Sequence, residues 1–235
     1  MTINDAYLPI FTSTYRYNVL KGGAGAGKSR AIAQLIIRNL RKNNNYKVLA
    51  LCKIGAMLSA TVFAELKKVI SDLNAEHLFT VTTSPLRIVC NANGNEVIFR
   101  GMDDENKLKS ISGISFIWME EADNYTAKDF LQADSRMRGK TEHLKQIFLS
   151  FNPTSELSWL KETFFDVGCT YEGKALVLET TYRDNKYLEP IDIEALELSG
   201  RTDKNFMRIY LNGEWGRVSS DGLFYKSFDS MEHVR

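Results

Sequence analysis

The residues Gly22-Gly23-Ala24-Gly25-Ala26-Gly27-Lys28-Ser29 fit the pattern G-x-x-x-x-G-K-[ST] at every fixed position. Glycines at this density let successive backbone N–H groups turn inward as a cradle for phosphate, and a helix starting near Lys28 would aim its positive end at the same point. In such a loop Lys28 reaches the β- and γ-phosphates and the Ser29 hydroxyl goes to Mg²⁺. The contacts expected for a nucleotide run from Gly22 through Arg30. A second group follows four apolar residues: Phe116-Ile117-Trp118-Met119, then Glu120-Glu121. Beside a phosphate loop, the first acid organises Mg²⁺, directly or through its water shell, and the second polarises the water that attacks the γ-phosphorus. That adjacent second acid separates hydrolases from most nucleotide kinases and switch GTPases, which must hold water off. A third group, Ser150-Phe151-Asn152, ends an apolar run at Pro153. Ser150 or Asn152 could bond the γ-phosphate or its water, although a polar turn before proline reads the same way.

The elements needed to position these groups are legible. Tyr17–Leu20 reads as a strand entering the glycine loop, and Ile32, Leu35, Ile36 and Leu40 give the following Arg30–Lys42 a helical face. Tyr46–Cys52 reads as a buried strand, Met57–Leu73 as an amphipathic helix, and Leu86–Cys90 with Glu96–Arg100 as a hairpin. A strand over Ser115–Met119, a helix over Thr126–Met137, a strand over Gln146–Ser150, a helix near Glu156–Phe165 and a strand over Ala175–Thr181 complete an alternation. Such alternation implies an α/β fold with a mostly parallel sheet and helices on both faces. Asp192–Tyr210 turns helical, as expected of a lid or small subdomain beginning near residue 183.

Composition sets outer bounds. The chain has 235 residues, 44% hydrophobic and 25% charged, enough for one large domain. No apolar run reaches the roughly 18 residues that suggest a membrane span, and Met1–Asp5 has no features of a signal peptide. Cys52, Cys90 and Cys169 are far apart with no CxxC pair, which argues against a disulfide framework or a zinc site. The net charge of +1 excludes a uniformly basic nucleic-acid coat and leaves DNA contact to local groups such as Arg38 with Arg41-Lys42, Lys67-Lys68, or Arg136, Arg138 and Lys140. Trp118, Trp159 and Trp215 read as core; Tyr15 or Tyr17 could equally pack in the core or flank an adenine.

The segments GGAGAGKSR, FRGMDDENKLKSISGISFIWMEEAD, LSFNPTSELSWL, TTYRDNKYL and YLNGEWG occur in the order found in the large terminase subunits of tailed bacteriophages. The chain resembles their PBSX-like branch from about Tyr15 to Trp215. The resemblance implies a P-loop ATPase of the additional-strand, catalytic-glutamate type, spanning residues 1–216. It would hydrolyse ATP with Mg²⁺ to move double-stranded DNA into a prohead in the host cell cytoplasm. On the same ground Glu120 is the Walker B acid, Glu121 the catalytic glutamate and Ser150-Phe151-Asn152 the coupling motif. The implied partners are the DNA backbone, the portal protein, the terminase small subunit and further copies in a homo-oligomeric ring, a pentamer in this family. The readings left beside it are a helicase- or recombination-type ATPase and a nucleotide-dependent assembly module without fast hydrolysis.

Two departures from the family pattern matter. Many relatives carry an arginine inside the phosphate loop where this chain has Ala24. An arginine finger would then come from Arg30, Arg100, Arg136 or Arg138, in cis or from a neighbouring subunit. Beyond Trp215 only Asp221, Asp229 and Glu232 remain as acids, too few in too short a stretch for the family's two-metal nuclease. Residues 217–235 are therefore expected to be a linker and the opening of a second domain.

Overall fold

The computed structural model describes residues 2–103, 108 and 111–217. Eight strands form one sheet: β1 (Tyr17–Gly22), β2 (Lys47–Cys52), β3 (Phe79–Thr83), β4 (Leu86–Cys90), β5 (Glu96–Gly101), β6 (Phe116–Glu120), β7 (Gln146–Phe151) and β8 (Ala175–Thr180). Their order is β3-β4-β5-β2-β6-β7-β1-β8. From β5 to β8 every neighbouring pair is parallel, and β3-β4-β5 is an antiparallel meander at one flank. β7 thus lies between the strand that enters the glycine loop and the strand that ends in acids.

The central parallel strands β1, β2, β6 and β7 are buried on both faces, so their sequences are near-continuous apolar runs whose alternate residues serve two cores. Val48, Ala50, Phe116, Trp118 and Phe148 face α1 (Lys28–Lys42) and α2 (Val62–Asp72). Leu49, Leu51, Ile117, Met119, Ile147 and Leu149 face the opposite core, which includes Phe130 of α3 (Ala127–Asp134) and Leu160 and Phe164 of α4 (Trp159–Phe164). On α1 the spacing of Ile32, Leu35, Ile36 and Leu40 gives one apolar stripe. Ile32, Ile36 and Leu40 are fully buried, each contributing about 1.5–3 kcal/mol.

Several boundaries shift from the sequence reading. The helix expected from Met57 begins only at Val62, after a 3₁₀ turn at Gly55–Met57. α3 stops at Asp134, where its capping box at Thr126 and Asp129 fixes the start but the chain turns at Ser135. β3 and a 3₁₀ helix over Asp5–Phe11 had no sequence expectation. The expected helical stretch after Asp192 divides into α5 (Pro190–Thr202), a short turn at Lys204–Phe206 and a π-helix at Met207–Leu211. Residues 218–235, with Asp221, Asp229 and Glu232, lie outside the described residues.

Candidate nucleotide site

Strands β1, β6 and β7 all deliver their last residues to one end of the sheet, the end where open α/β sheets bind ligands. The glycine loop leaves β1 there. Gly25 (φ 69°) and Gly27 (φ 92°) adopt the left-handed backbone that turns the loop into α1. Gly22 and Gly23 serve close approach instead: a Cβ on either would sit 2.3 Å from a carbonyl oxygen, of Thr180 and Tyr210 respectively. The loop is tied from outside by Gly23 N–H to Thr180 O (3.1 Å), Ala24 N–H to Tyr210 O (2.8 Å) and Asn185 Nδ2 to Gly25 O (2.7 Å). Tyr7 OH donates to Ala26 O at 3.0 Å and lies 2.8 Å from Thr180 Oγ1.

α1 begins at Lys28 with no side-chain cap on its N-terminal N–H groups, so its positive end is open to an anion. The buried Lys28 ammonium turns back into the loop and donates to Gly22 O (2.8 Å), Gly23 O (2.8 Å) and Asn152 Oδ1 (2.9 Å). Burial lowers its pKa to about 8, partly offset by the charges of Glu120 and Asp123. One residue on, Ser29 Oγ donates to Glu120 Oε1. Ser150 Oγ and Trp118 Nε1 donate to Glu120 Oε2, the latter at 3.1 Å. Burial pushes the Glu120 carboxyl pKa up, against the pull of these hydroxyls and of Lys28.

Glu121 sits just past β6 at φ 53°, a left-handed conformation that a non-glycine residue holds only when its surroundings impose it and that clusters at functional sites. Its exposed carboxylate accepts from Asn124 Nδ2 at 3.2 Å. Asp123 accepts from Thr154 Oγ1 at 3.1 Å, and burial raises its pKa. A cavity of about 840 Å³ opens over these groups, lined by the glycine loop from Gly23 onward, Glu120, Glu121 and Ser150–Asn152. That volume lies in the range of pre-formed ligand pockets.

A family model described as "Phage terminase large subunit" matches residues 14–214. The chain belongs to the phage terminase large subunit family. It is 31% identical over 208 residues to the large terminase subunit of Bacillus phage SPP1, covering 84% of this chain and 49% of that protein. It is 28% identical to the PBSX phage terminase large subunit of Bacillus subtilis, covering 88% of this chain and 51% of that protein. The chain thus spans about half the length of the curated relatives it matches. Among solved structures, the large terminase of a thermophilic bacteriophage aligns with TM-score 0.74 at 18% identity over 99% of this chain and 58% of that one. The complex of that terminase with ATP-γ-S aligns at 0.72. The ATPase domain of the Thermus phage P74-26 large terminase aligns at 0.64 with 15% identity, covering 91% of this chain and 94% of that domain.

Other candidate residues of the terminase chain fall elsewhere. Arg30 lines the cavity but turns away from the loop, bonding Glu65 (3.5 Å) and Asp72 across α2. Arg100 is the next-to-last residue of β5, at the nucleotide end and three strand steps from β7, its Nη1 donating to Phe99 O at 2.7 Å. Arg136 and Arg138 follow α3, which runs to the opposite end of the sheet, where Asp134 pairs with Arg16 at 2.8 Å just before β1. A six-residue strand spans about 20 Å, so neither reaches the loop within one subunit. An adenine-flanking role for Tyr15 or Tyr17 is corrected by the same geometry: both lie at the far end, and the Tyr17 ring packs on Tyr171, Phe130 and Phe164 with centroids 4.6, 5.7 and 6.4 Å away. Of the basic groups, Arg38 stacks on Phe11 and Lys67 on Phe63. Sequence reasoning missed Tyr7, Thr180 and Tyr210 as supports of the loop. Thr180 and Asn185 had one signal, their place in the TTYRDN segment, and Tyr210 had its place at the start of YLNGEWG.

Proposed function

We propose that this chain is the ATP-hydrolysing motor domain of a terminase large subunit, driving double-stranded DNA into a prohead. The observation that carries the reading is the convergence of Lys28, Ser29 with Glu120, Glu121 and Ser150–Asn152 on one cavity, with β7 between β1 and β6. Lys28 moves from the loop carbonyls to the β- and γ-phosphates, and the N–H groups of Gly22–Arg30 hold the phosphate chain. Asn152, released by Lys28, and Ser150 then sense the γ-phosphate and pass its state to the residues after Pro153. Glu121, exposed to the cavity and held by Asn124, accepts the proton of the attacking water.

Ser29 and Glu120 also suit Mg²⁺. Both present hard oxygen atoms, the donors this ion prefers, and their mutual hydrogen bond brings the two oxygens within reach of one ion. When bound, Mg²⁺ offsets negative charge on the phosphate oxygens. In the ring reading, a trans arginine comes from Arg100, at the nucleotide end, or from Arg136 or Arg138 across a subunit boundary. Residues 1–216 form the motor and 217–235 lead into a further domain. The DNA backbone, the portal, the small subunit and sister subunits of a pentamer are its partners in the host cytoplasm. Among the described residues no helix is long and apolar enough to cross a membrane.

Calorimetry and a phosphate-release assay test the reading together. The protein is expected to bind and hydrolyse ATP, and Lys28→Ala to lose nucleotide binding itself. A wild-type protein that binds no ATP, or a Lys28→Ala variant that binds and hydrolyses it normally, overturns the assignment. Rates that rise with protein concentration, or with proheads and DNA present, support the ring; a flat rate per subunit under all these conditions rejects it.

A further inference from the structure

Trp118 is fully enclosed, and its ring would pass for ordinary core. Its indole N–H, however, lies inside the site: Nε1 donates to Ser150 Oγ at 2.8 Å and to Glu120 Oε2 at 3.1 Å. An indole offers one donor and no acceptor, so burying it requires an acceptor nearby, and here both acceptors belong to the phosphate chemistry. Trp159 makes the contrast, since its buried Nε1 has no partner among the described residues.

We propose that Trp118 is a positioning residue for hydrolysis, whose N–H orients the Ser150 hydroxyl and, through it and directly, fixes the Glu120 carboxylate. The inference rests on the ATPase reading above and deepens it. Residues two apart on a strand share a face, which puts Trp118 beside Glu120, while the β6–β7 register places Phe148 opposite Trp118 and Ser150 opposite Glu120. A serine hydroxyl has one proton to give and lone pairs to accept with. The indole takes a Ser150 lone pair, leaving the Ser150 proton for Glu120 Oε2, where it is bonded. Ser29 holds Oε1. Both oxygens of the carboxylate are thus held by donors, and the run of bonds from Trp118 through Ser150 to Glu120 is polarised in one direction, which strengthens each bond in it. A phenylalanine or leucine at this position would keep the core apolar but would let the Ser150 hydroxyl rotate. The indole therefore also joins the acid strand to the first residue of the Ser150–Asn152 segment.

Outer partners of a metal-ligating or catalytic group typically change activity 10–100-fold when removed. The deciding variant replaces Trp118 by β-(3-benzothienyl)alanine, which keeps the bicyclic shape and puts sulfur where the N–H was; Trp118→Phe leaves a cavity and serves only as a second comparison. Expected is a loss of kcat of about 10–100-fold with KM for ATP and Tm held. A readout independent of turnover is the indole ¹⁵N–¹H spectrum. The Trp118 signal is expected to exchange slowly with solvent and to move in Ser150→Ala and Glu120→Gln, while those of Trp159 and Trp215 stay put. A benzothienyl variant with the wild-type kcat, or a Trp118 signal unmoved by both substitutions, overturns the proposal. If the wild-type protein itself fails to hydrolyse ATP, the functional reading falls, and the indole spectrum alone decides whether Trp118 holds Ser150 and Glu120.

Discussion

The two ends of the sheet bury polar side chains for opposite purposes. At the end where α1 stops and β5 starts, the side chain of Asn95, 3% exposed, gives Nδ2 to Leu40 O (2.9 Å) and Asn43 O (2.7 Å) and accepts from Tyr46 N–H (2.7 Å). Gln146 likewise donates to Ser13 O and Tyr15 O at 2.9 and 3.0 Å. These amides are neutral and their partners are backbone, so nothing is left in tension. At the nucleotide end the enclosed groups are charged, Lys28 and Glu120, and burial opposes the charge of both. A fully paired neutral amide is a staple; a charge held in a partly dry pocket stores free energy that a ligand can release. The difference separates residues kept for folding from residues kept for chemistry.

Four measurements can break or sharpen that division. Glu121→Gln is expected to lower turnover by about 10²–10⁴-fold while ATP binding and Tm stay unchanged; normal turnover would remove Glu121 as the base. At the other end, Asn95→Ala leaves the Tyr46 N–H without its acceptor and removes one of two donors from Leu40 O and Asn43 O, which Asn93 Nδ2 still reaches at 2.9 and 3.0 Å; it should cost about 2 kcal/mol, a fall of about 4–8 °C in Tm. Its kcat per folded molecule is expected to match the wild type, and a loss of kcat would blur the two ends. Glu120→Gln should do the reverse, abolishing hydrolysis while raising the Tm of the nucleotide-free protein at neutral pH. The sign follows from burial, which holds the folded-state pKa above its ordinary 4.5. The wild type loses stability as pH rises through that raised value, so the advantage of the variant should vanish below pH 4.5. The fourth measurement concerns Lys28, whose pKa falls from 10.5 to about 8. Between those values the unfolded chain binds the extra proton, so wild-type stability should rise with pH relative to Lys28→Met, as parallel melts across pH 8–10.5 would record.

The sequence made the central elements legible because their signals are local. Apolar runs ending in Lys21-Gly22, Glu120-Glu121 and Ser150-Phe151-Asn152 are strands with polar ends, and parallel strands buried on both faces leave that trace. β3 escaped because Phe79-Thr80-Val81-Thr82-Thr83 is short, mostly exposed and followed by Ser84-Pro85, and so reads as a linker. The supports of the loop escaped for another reason. Tyr7 meets Ala26 and Thr180, 19 and 173 residues away, and no periodicity encodes such a meeting. Tyr17 left two readings open because it lies close to the loop in sequence, whereas β1 carries it a strand's length away into the core. The residue type of Arg136 and Arg138 suits phosphate, but α3 delivers them to the end of the sheet away from their own loop.

The glycines of the loop now divide in a way that bears on how such motifs are inherited. Gly22 and Gly23 have no room for a side chain because Thr180 and Tyr210 carbonyls press on them, whether or not a nucleotide arrives. A descendant that had lost ATP altogether would still be selected to keep both, since replacing either would disturb the junction of β1, β8 and the π-helix. The glycine that opens the phosphate-loop signature could therefore persist in a lineage as a fossil of packing. Lys28, whose burial burdens the free protein, would be among the first to drift. In a scan of all single substitutions read separately for abundance and for turnover, Gly22 and Gly23 should fall with the abundance-limited positions and Lys28 with the turnover-limited ones.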